Sequence, residues 1–346
     1  MIRIITVYQS LNPGSYLQST ALFNTIQEKY SDVAFYNTHS RSAFLSGIKL
    51  SIKLFLKRKF SLAIKQMKMA FEYKKGMDRF AQSSKYSEED IAVLGSDEIW
   101  NVSRKDVSKY PIFWGVGLRQ ERCIAYAPSI NSATVNDLKR YPFVSESLER
   151  INKISVRDKY SKREIEKLTK REVQLVCDPV MLLPVSQYRK HYKNNHGGEK
   201  YILIYGPKRH FDQNSVESII QYAKTNGFKL YSYYFYHDWV EEVIYGDPYC
   251  FLELIDNAGI VFTSTFHGTV FSIMYNKCFL VFGENKKVQE LLELFDLQSR
   301  VCMESDLEST LTKIIDYGVI NSRLSELSSK SKEYLYTALE EIHYSN

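Results

Sequence analysis

The chain has 346 residues, 44% of them apolar and 14% aromatic, enough to bury two ordinary cores and too hydrophobic for a disordered protein. Its net charge of +6 is unevenly placed, and no apolar run is long enough to cross a bilayer as a helix. Five cysteines, odd in number and far apart (Cys123, Cys177, Cys250, Cys278, Cys302), fit reduced core thiols in a cytoplasmic protein better than disulfides or a zinc site.

In chain order, residues 1–7 form a short apolar run closed by polar turn residues. It is shorter than a signal peptide, lacks a cleavage site and reads as a first buried strand. The loop Ser10-Leu11-Asn12-Pro13-Gly14-Ser15 follows, after which Leu17, Ala21, Leu22 and Ile26 recur at helical spacing. In residues 49–75 almost every charge is positive, and bulky apolar residues interleave with the cations. Such a run is either an amphipathic helix on an anionic membrane surface or a helical excursion with a solvated basic face. Nucleic-acid binding is not expected, since no recognised module accompanies the charge.

The strand-then-turn pattern returns at Ile91–Leu94 before Gly95-Ser96-Asp97, at residues 123–127, at Lys153–Val156 and at residues 173–176. Repeated alternation of strand and helix implies a parallel sheet covered on both faces. Residues 184–200 (with Lys190, His191, Lys193, Asn194, Asn195, His196 and Gly197-Gly198) are polar and read as a linker. Beyond it come strands at Tyr201–Tyr205, 229–236, 259–263 and 278–282, and helices at 215–226, 251–258 and 269–275. The expected fold is α/β with two Rossmann-like domains, 1–183 with a basic helical insertion near 45–80, and 201–321. Residues 184–200 join them, a ligand cleft lies between them at the strand ends, and a C-terminal helix, 322–346, packs back across that cleft.

The segment Thr263-Ser264-Thr265-Phe266-His267-Gly268-Thr269 joins a strand to an apolar helix. Hydroxyls, backbone N–H groups and the positive end of a helix dipole favour an anion there, and His267 can donate or accept a proton. The alternative is a histidine that only caps or hydrogen-bonds. Asp97, at another strand end, is suited to orient acceptor hydroxyls or act as a base, and Trp100 to stack on a sugar ring; the alternative is that Ser96 and Asp97 cap the following turn. No Asp-x-Asp, His-Glu-x-x-His or Cys-x-x-Cys spacing occurs, so no metal is expected; the absence of a P-loop or Gly-x-Gly-x-x-Gly weakens kinase and dehydrogenase readings.

Four stretches together resemble the polysaccharide pyruvyl transferase family: Gly95-Ser96-Asp97-Glu98-Ile99-Trp100-Asn101, Ser155-Val156-Arg157-Asp158, Cys177-Asp178-Pro179-Val180, and residues 251–282 around His267. The resemblance covers residues 1–301 and implies a fold similar to GT-B glycosyltransferases. It implies transfer of pyruvate from phosphoenolpyruvate to a sugar hydroxyl pair as a ketal, in capsule, O-antigen or exopolysaccharide assembly, with no separate cofactor. By resemblance, Arg157 binds the donor, with Lys287 or its neighbour Lys286 adding charge, and Ser264, Thr265, Gly268 and Thr269 form the rest of the donor pocket. His267 and Asp97 are the catalytic candidates, and Ser15 and Trp100 the acceptor side.

Two positions depart from the family pattern. Ser15 follows Gly14 where many members carry an aspartate, and Thr265 stands where some carry an arginine. The implied partners are phosphoenolpyruvate, a lipid-linked or nucleotide-linked glycan acceptor and, through residues 49–75, an anionic membrane surface, which would place the chain at the inner face of the cell membrane. A GT-B glycosyltransferase using a nucleotide sugar, or a glycan-binding relative without catalysis, are the rival functions.

Overall fold

The structure is a computed structural model describing residues 1–38, 43–104, 110–193, 198–302 and 307–344. The chain divides into two compact units. The first holds Met1–Ala63, Ala70–Leu183 and Glu326–Asn346; the second holds Ile64–Met69 and Pro184–Ser325.

The first unit is built on seven strands: β1 (Ile2–Ile5), β2 (Val33–Tyr36), β3 (Gln82–Ser83), β4 (Ile91–Leu94), β5 (Cys123–Ala125), β6 (Lys153–Val156) and β7 (Val173–Leu175). They pair in parallel in the order β3-β2-β1-β4-β5-β6-β7, with Ile4 opposite both Phe35 and Val93. Strands β1 and β4 are buried at every position, which is why they read as unbroken apolar runs rather than alternating ones. Helices α1 (Pro13–Gln27), α2 (Ala43–Leu56), α3 (Phe60–Met77), α4 (Val135–Leu138), α5 (Pro142–Arg150) and α6 (Lys159–Ile165) connect them. Helix α1 starts where it does because the Asn12 side chain accepts from Gly14 N at 2.9 Å and Pro13 needs no donor there.

The second unit holds β8 (Tyr201–Tyr205), β9 (Lys229–Tyr233), β10 (Glu242–Ile244), β11 (Ile260–Thr263) and β12 (Phe279–Val281), parallel in the order β10-β9-β8-β11-β12. Its helices are α7 (Val185–Arg189), α8 (Gln213–Asn226), α9 (Pro248–Asn257), α10 (Phe266–Met274), α11 (Lys286–Leu294) and α12 (Leu307–Thr312). A last helix, α13 (Tyr317–Tyr344), begins among residues of the second unit and ends among those of the first. In the first unit its Ser331 hydroxyl accepts from Cys177 N at 3.0 Å and its Tyr336 hydroxyl donates to Thr25 O at 2.9 Å. No helix among the described residues is long and apolar enough to cross a membrane.

In both sheets the strand order reverses at the centre, between β1 and β4 and between β8 and β11. At such a switch point the two neighbouring loops leave in opposite directions and open a crevice at the carboxyl ends of the strands.

Several boundaries differ from the sequence expectation for local reasons. Helix α10 starts at Phe266 rather than 269, because the Thr265 hydroxyl accepts from Gly268 N at 3.0 Å and caps the earlier turn. Strand β9 ends at Tyr233, where Tyr234 turns left-handed with φ 66°. The expected linker 184–200 is not a loop along its length. It contains α7, with Tyr188 buried and Arg189 paired with Asp256 through bonds of 2.7 and 2.9 Å. Its polar residues thus dress a helix docked on the second unit; residues 194–197 of the expected linker lie outside the described residues.

Candidate functional site

At the first unit's switch point, the ends of β1 and β4 are tied together by a hydrogen-bonded chain. Thr6 Oγ1 donates to Ser96 O at 3.1 Å, Ser96 Oγ to Gln18 Oε1 at 2.8 Å, and Gln18 Nε2 to Ser15 O at 3.0 Å. Ser15, in the first turn of α1, donates its hydroxyl to Asp97 Oδ2 at 2.6 Å. Asp97 sits in the left-handed region at φ 72°, a conformation a non-glycine residue holds only where its surroundings fix it.

Arg157, just beyond β6, spans two carboxylates. Its Nη2 donates to Asp97 Oδ1 at 3.3 Å and its Nη1 to Asp178 Oδ2 at 2.6 Å. The arginine side chain is 3% exposed and that of Asp178 is fully buried. Burial opposes the arginine's charge, but Asp178 and Asp97 outweigh it and hold the guanidinium pKa above its ordinary value. Asp178 also accepts from Val180 N at 3.1 Å through its other oxygen, so both its oxygens are engaged. With one guanidinium between two carboxylates this is a network of net negative formal charge rather than a bare positive pocket.

At the second unit's switch point the chemistry is different. Strand β8 runs into Gly206 and the turn Lys208–His210, and β11 runs into Ser264 and α10. His210 Nδ1 and Ser264 Oγ share a hydrogen bond at 2.9 Å, joining the two strand ends. A Cβ on Gly206 would lie 2.1 Å from Ser264 Oγ, and one on Gly268 would lie 2.1 Å from Thr263 Oγ1. These two positions must stay bare for the hydroxyls to pack against backbone. His267 lies in the first turn of α10, half-buried, at the positive end of the helix dipole. His237 is buried and donates from Nε2 to Gly206 O at 3.0 Å. Burial lowers the pKa of both His210, with Arg209 adding to the effect, and His237. Lysine 287 is buried in the first turn of α11, whereas Lys286 beside it is exposed.

Of the residues picked out by sequence, Ser15, Asp97 and Arg157 meet in the first unit. Ser264, Thr265, His267, Gly268 and Thr269 share the β11–α10 junction of the second, where Thr269 Oγ1 donates back to Thr265 O at 2.9 Å. Trp100 is a correction. Its ring is fully buried, stacks on Trp114 with centroids 4.4 Å apart, and gives its N–H to Phe113 O at 2.8 Å. It is a core side chain with no face for a sugar.

Two residues escaped the sequence reading. His210 follows a strand end, the same signal that marked Asp97, but its partner Ser264 is far along the chain. Asp178 stands inside a stretch that carried the family resemblance, without a role of its own until Arg157 was seen to bind it. Among the described residues no group of three or more His, Cys, Asp or Glu side chains has metal-binding geometry.

The sequence profile of the polysaccharide pyruvyl transferase family matches residues 12–286. No curated protein matches the chain by sequence. Among solved structures, the chain is similar to UDP-GlcNAc 2-epimerase from Methanocaldococcus jannaschii, solved with UDP-GlcNAc and UDP, at 10% identity and TM-score 0.52, covering 98% of this chain and 99% of that one. It is also similar to UDP-N-acetylglucosamine 2-epimerase from Rickettsia bellii, at 10% identity and TM-score 0.53, covering 99% and 96%. At this identity the likeness is one of fold, and the fold is the GT-B type with two parallel α/β units.

Proposed function

Because this chain belongs to the polysaccharide pyruvyl transferase family, we propose that it moves pyruvate from phosphoenolpyruvate onto a pair of hydroxyls of a cell-surface glycan precursor. The observation that carries this reading is the β11–α10 junction, where His267, Ser264 and Thr265 stand at a helix N-terminus beside a strand switch point. A doubly anionic enol phosphate suits such a place, because backbone N–H groups, hydroxyls and the helix dipole all favour negative charge. Lys287, buried in the first turn of α11 on the same unit, is assigned to the donor's negative charge by the family resemblance.

In the reaction the first sugar hydroxyl bonds to the enol carbon that bears the phosphate, and its proton ends on the methylene, which becomes a methyl. The second hydroxyl then bonds to the same carbon, the C–O bond to phosphate breaks, and the second proton leaves with the phosphate. His267 is assigned to proton delivery at the methylene or to contact with the departing phosphate. Asp97, held by Ser15, is assigned to orienting or deprotonating the acceptor hydroxyl. Arg157 is assigned to donor contact by the family resemblance, and a donor phosphate would compete with Asp97, bonded at 3.3 Å, before Asp178, bonded at 2.6 Å. Phosphoenolpyruvate is a metabolite of the cell interior, which suits a reaction inside the cell.

The test is incubation with phosphoenolpyruvate and a panel of aryl glycosides and lipid-linked sugars. Phosphate release with the mass gain of a pyruvate ketal supports the proposal, and His267→Ala is expected to lower the rate by about 10²–10⁴ while leaving the melting temperature in place. Release of nucleotide from a UDP-sugar without phosphate release would replace it with the nucleotide-sugar reading.

A further inference from the structure

Helices α2 and α3 form a hairpin that leaves an unusual number of bulky apolar residues in water. A helix packed on a soluble protein buries its bulky residues and shows its small and polar ones to water. Here the buried positions of α2 are small, Gly47 and Ser51, and those of α3 mix small residues, Ala63 and Ala70, with Gln66, Met69, Tyr73 and Met77. A Cβ on Gly47 would fall 2.7 Å from Ala70 Cβ and 2.8 Å from Leu11 Cδ1, so the two helices approach closely at that glycine. Many bulky residues nevertheless face outward. Leu45, Ile52, Phe55, Leu56, Phe60 and Phe71 are all exposed, Leu56 by 77% and Phe55 by 58%. At the tip, the Phe55 and Phe60 rings pack edge to face with centroids 4.9 Å apart, on either side of the turn Lys57-Arg58-Lys59.

The charge on this hairpin has one sign. Between residues 43 and 77 there are nine lysines and arginines and a single acid, Glu72. We propose that the α2–α3 hairpin docks the protein on an anionic lipid bilayer, with the Phe55, Leu56 and Phe60 tip entering the headgroup layer and the lysines binding lipid phosphates. Three physical points select this occupant. Helix α2 has 14 residues, about 21 Å at 1.5 Å per residue, which is too short for a hydrocarbon core of about 30 Å and suited to lying in the interface. A second copy of the chain would bring like charges face to face. A nucleic acid would satisfy the cations but leave Leu45, Ile52 and Leu56 in water.

A small pocket of about 80 Å³ lies at the foot of the hairpin, lined by Phe44 and Tyr73 and by the polar Gln9, Lys74, Asp78 and Gln82.

The experiment is co-sedimentation of the full chain with vesicles of phosphatidylcholine and phosphatidylglycerol in equal parts, and with phosphatidylcholine alone. Binding to the mixed vesicles is expected to be at least about tenfold tighter and to weaken with salt. Phe55→Ser with Leu56→Ser, and separately Lys53→Glu with Lys57→Glu, are each expected to reduce binding about tenfold or more without changing the far-UV spectrum or melting temperature. No binding to mixed vesicles, equal binding by both double variants, or self-association that those variants abolish would each overturn the proposal. Turnover on a soluble aryl glycoside is expected to be unchanged in both variants, so vesicle docking and pyruvyl transfer fail or stand separately.

Discussion

The two sheets share a plan and differ in what they place at its centre. Each reverses its strand order once, and each gathers polar side chains at that point. In the first unit the gathering is full of charge, with Arg157 held by Asp97 and Asp178 and Ser15 bonded to Asp97. In the second it consists of histidines, hydroxyls and a helix N-terminus over two bare glycines. An arginine in a sequence is therefore a weak pointer to an anion site until its partners are known, whereas hydroxyls and a helix start carry their positive potential in the backbone itself.

The sharpest way to break this contrast is Asp178→Ala. If the first network is a structural ion pair, losing the buried partner costs about 3–5 kcal/mol in unfolding free energy by urea titration. A loss below about 1 kcal/mol would mean that Arg157 is solvated and free to meet a ligand. Next in size is Gly268→Ala, expected to cost about 1–3 kcal/mol, since the added methyl falls on Thr263 Oγ1 and the turn must shift. The same variant should weaken phosphoenolpyruvate binding by calorimetry; unchanged affinity would separate the glycine's packing from the site.

The smallest effect concerns pH. Burial lowers the pKa of His237 in the folded state, so the unfolded chain takes up that proton more readily. Its stabilising contribution is complete above the ordinary histidine range and is lost as pH falls through it. His237→Gln should flatten that part of the stability profile, measured by urea titrations from pH 7.5 down to about 5.

What the sequence displayed well were elements whose signal is local. Ile91–Leu94 and Tyr201–Tyr205 are apolar at nearly every position because both faces of the strand are covered, and the strand ends they define led to Asp97. The strands β3 and β10 were not legible, being two and three residues long at sheet edges, too short for any period to show. The run 49–75 was legible as charge but not as two helices. Its turn holds neither glycine nor proline, and Arg58 takes the left-handed conformation itself, at φ 57°. Trp100 shows the opposite failure, because only the position of Trp114 across the core tells that its ring is not a sugar platform. The Ser264–His210 bond, between residues 54 apart in the chain, needed the sheet to be seen.

That bond also makes the molecule its own reporter. A chain with seven histidines gives a small set of imidazole nitrogen resonances, and the one shared with Ser264 Oγ depends on which ring nitrogen holds the proton. An anion arriving at the β11–α10 junction competes for the Ser264 hydroxyl and must change that resonance, so ligands can be ranked by titration before any product is identified.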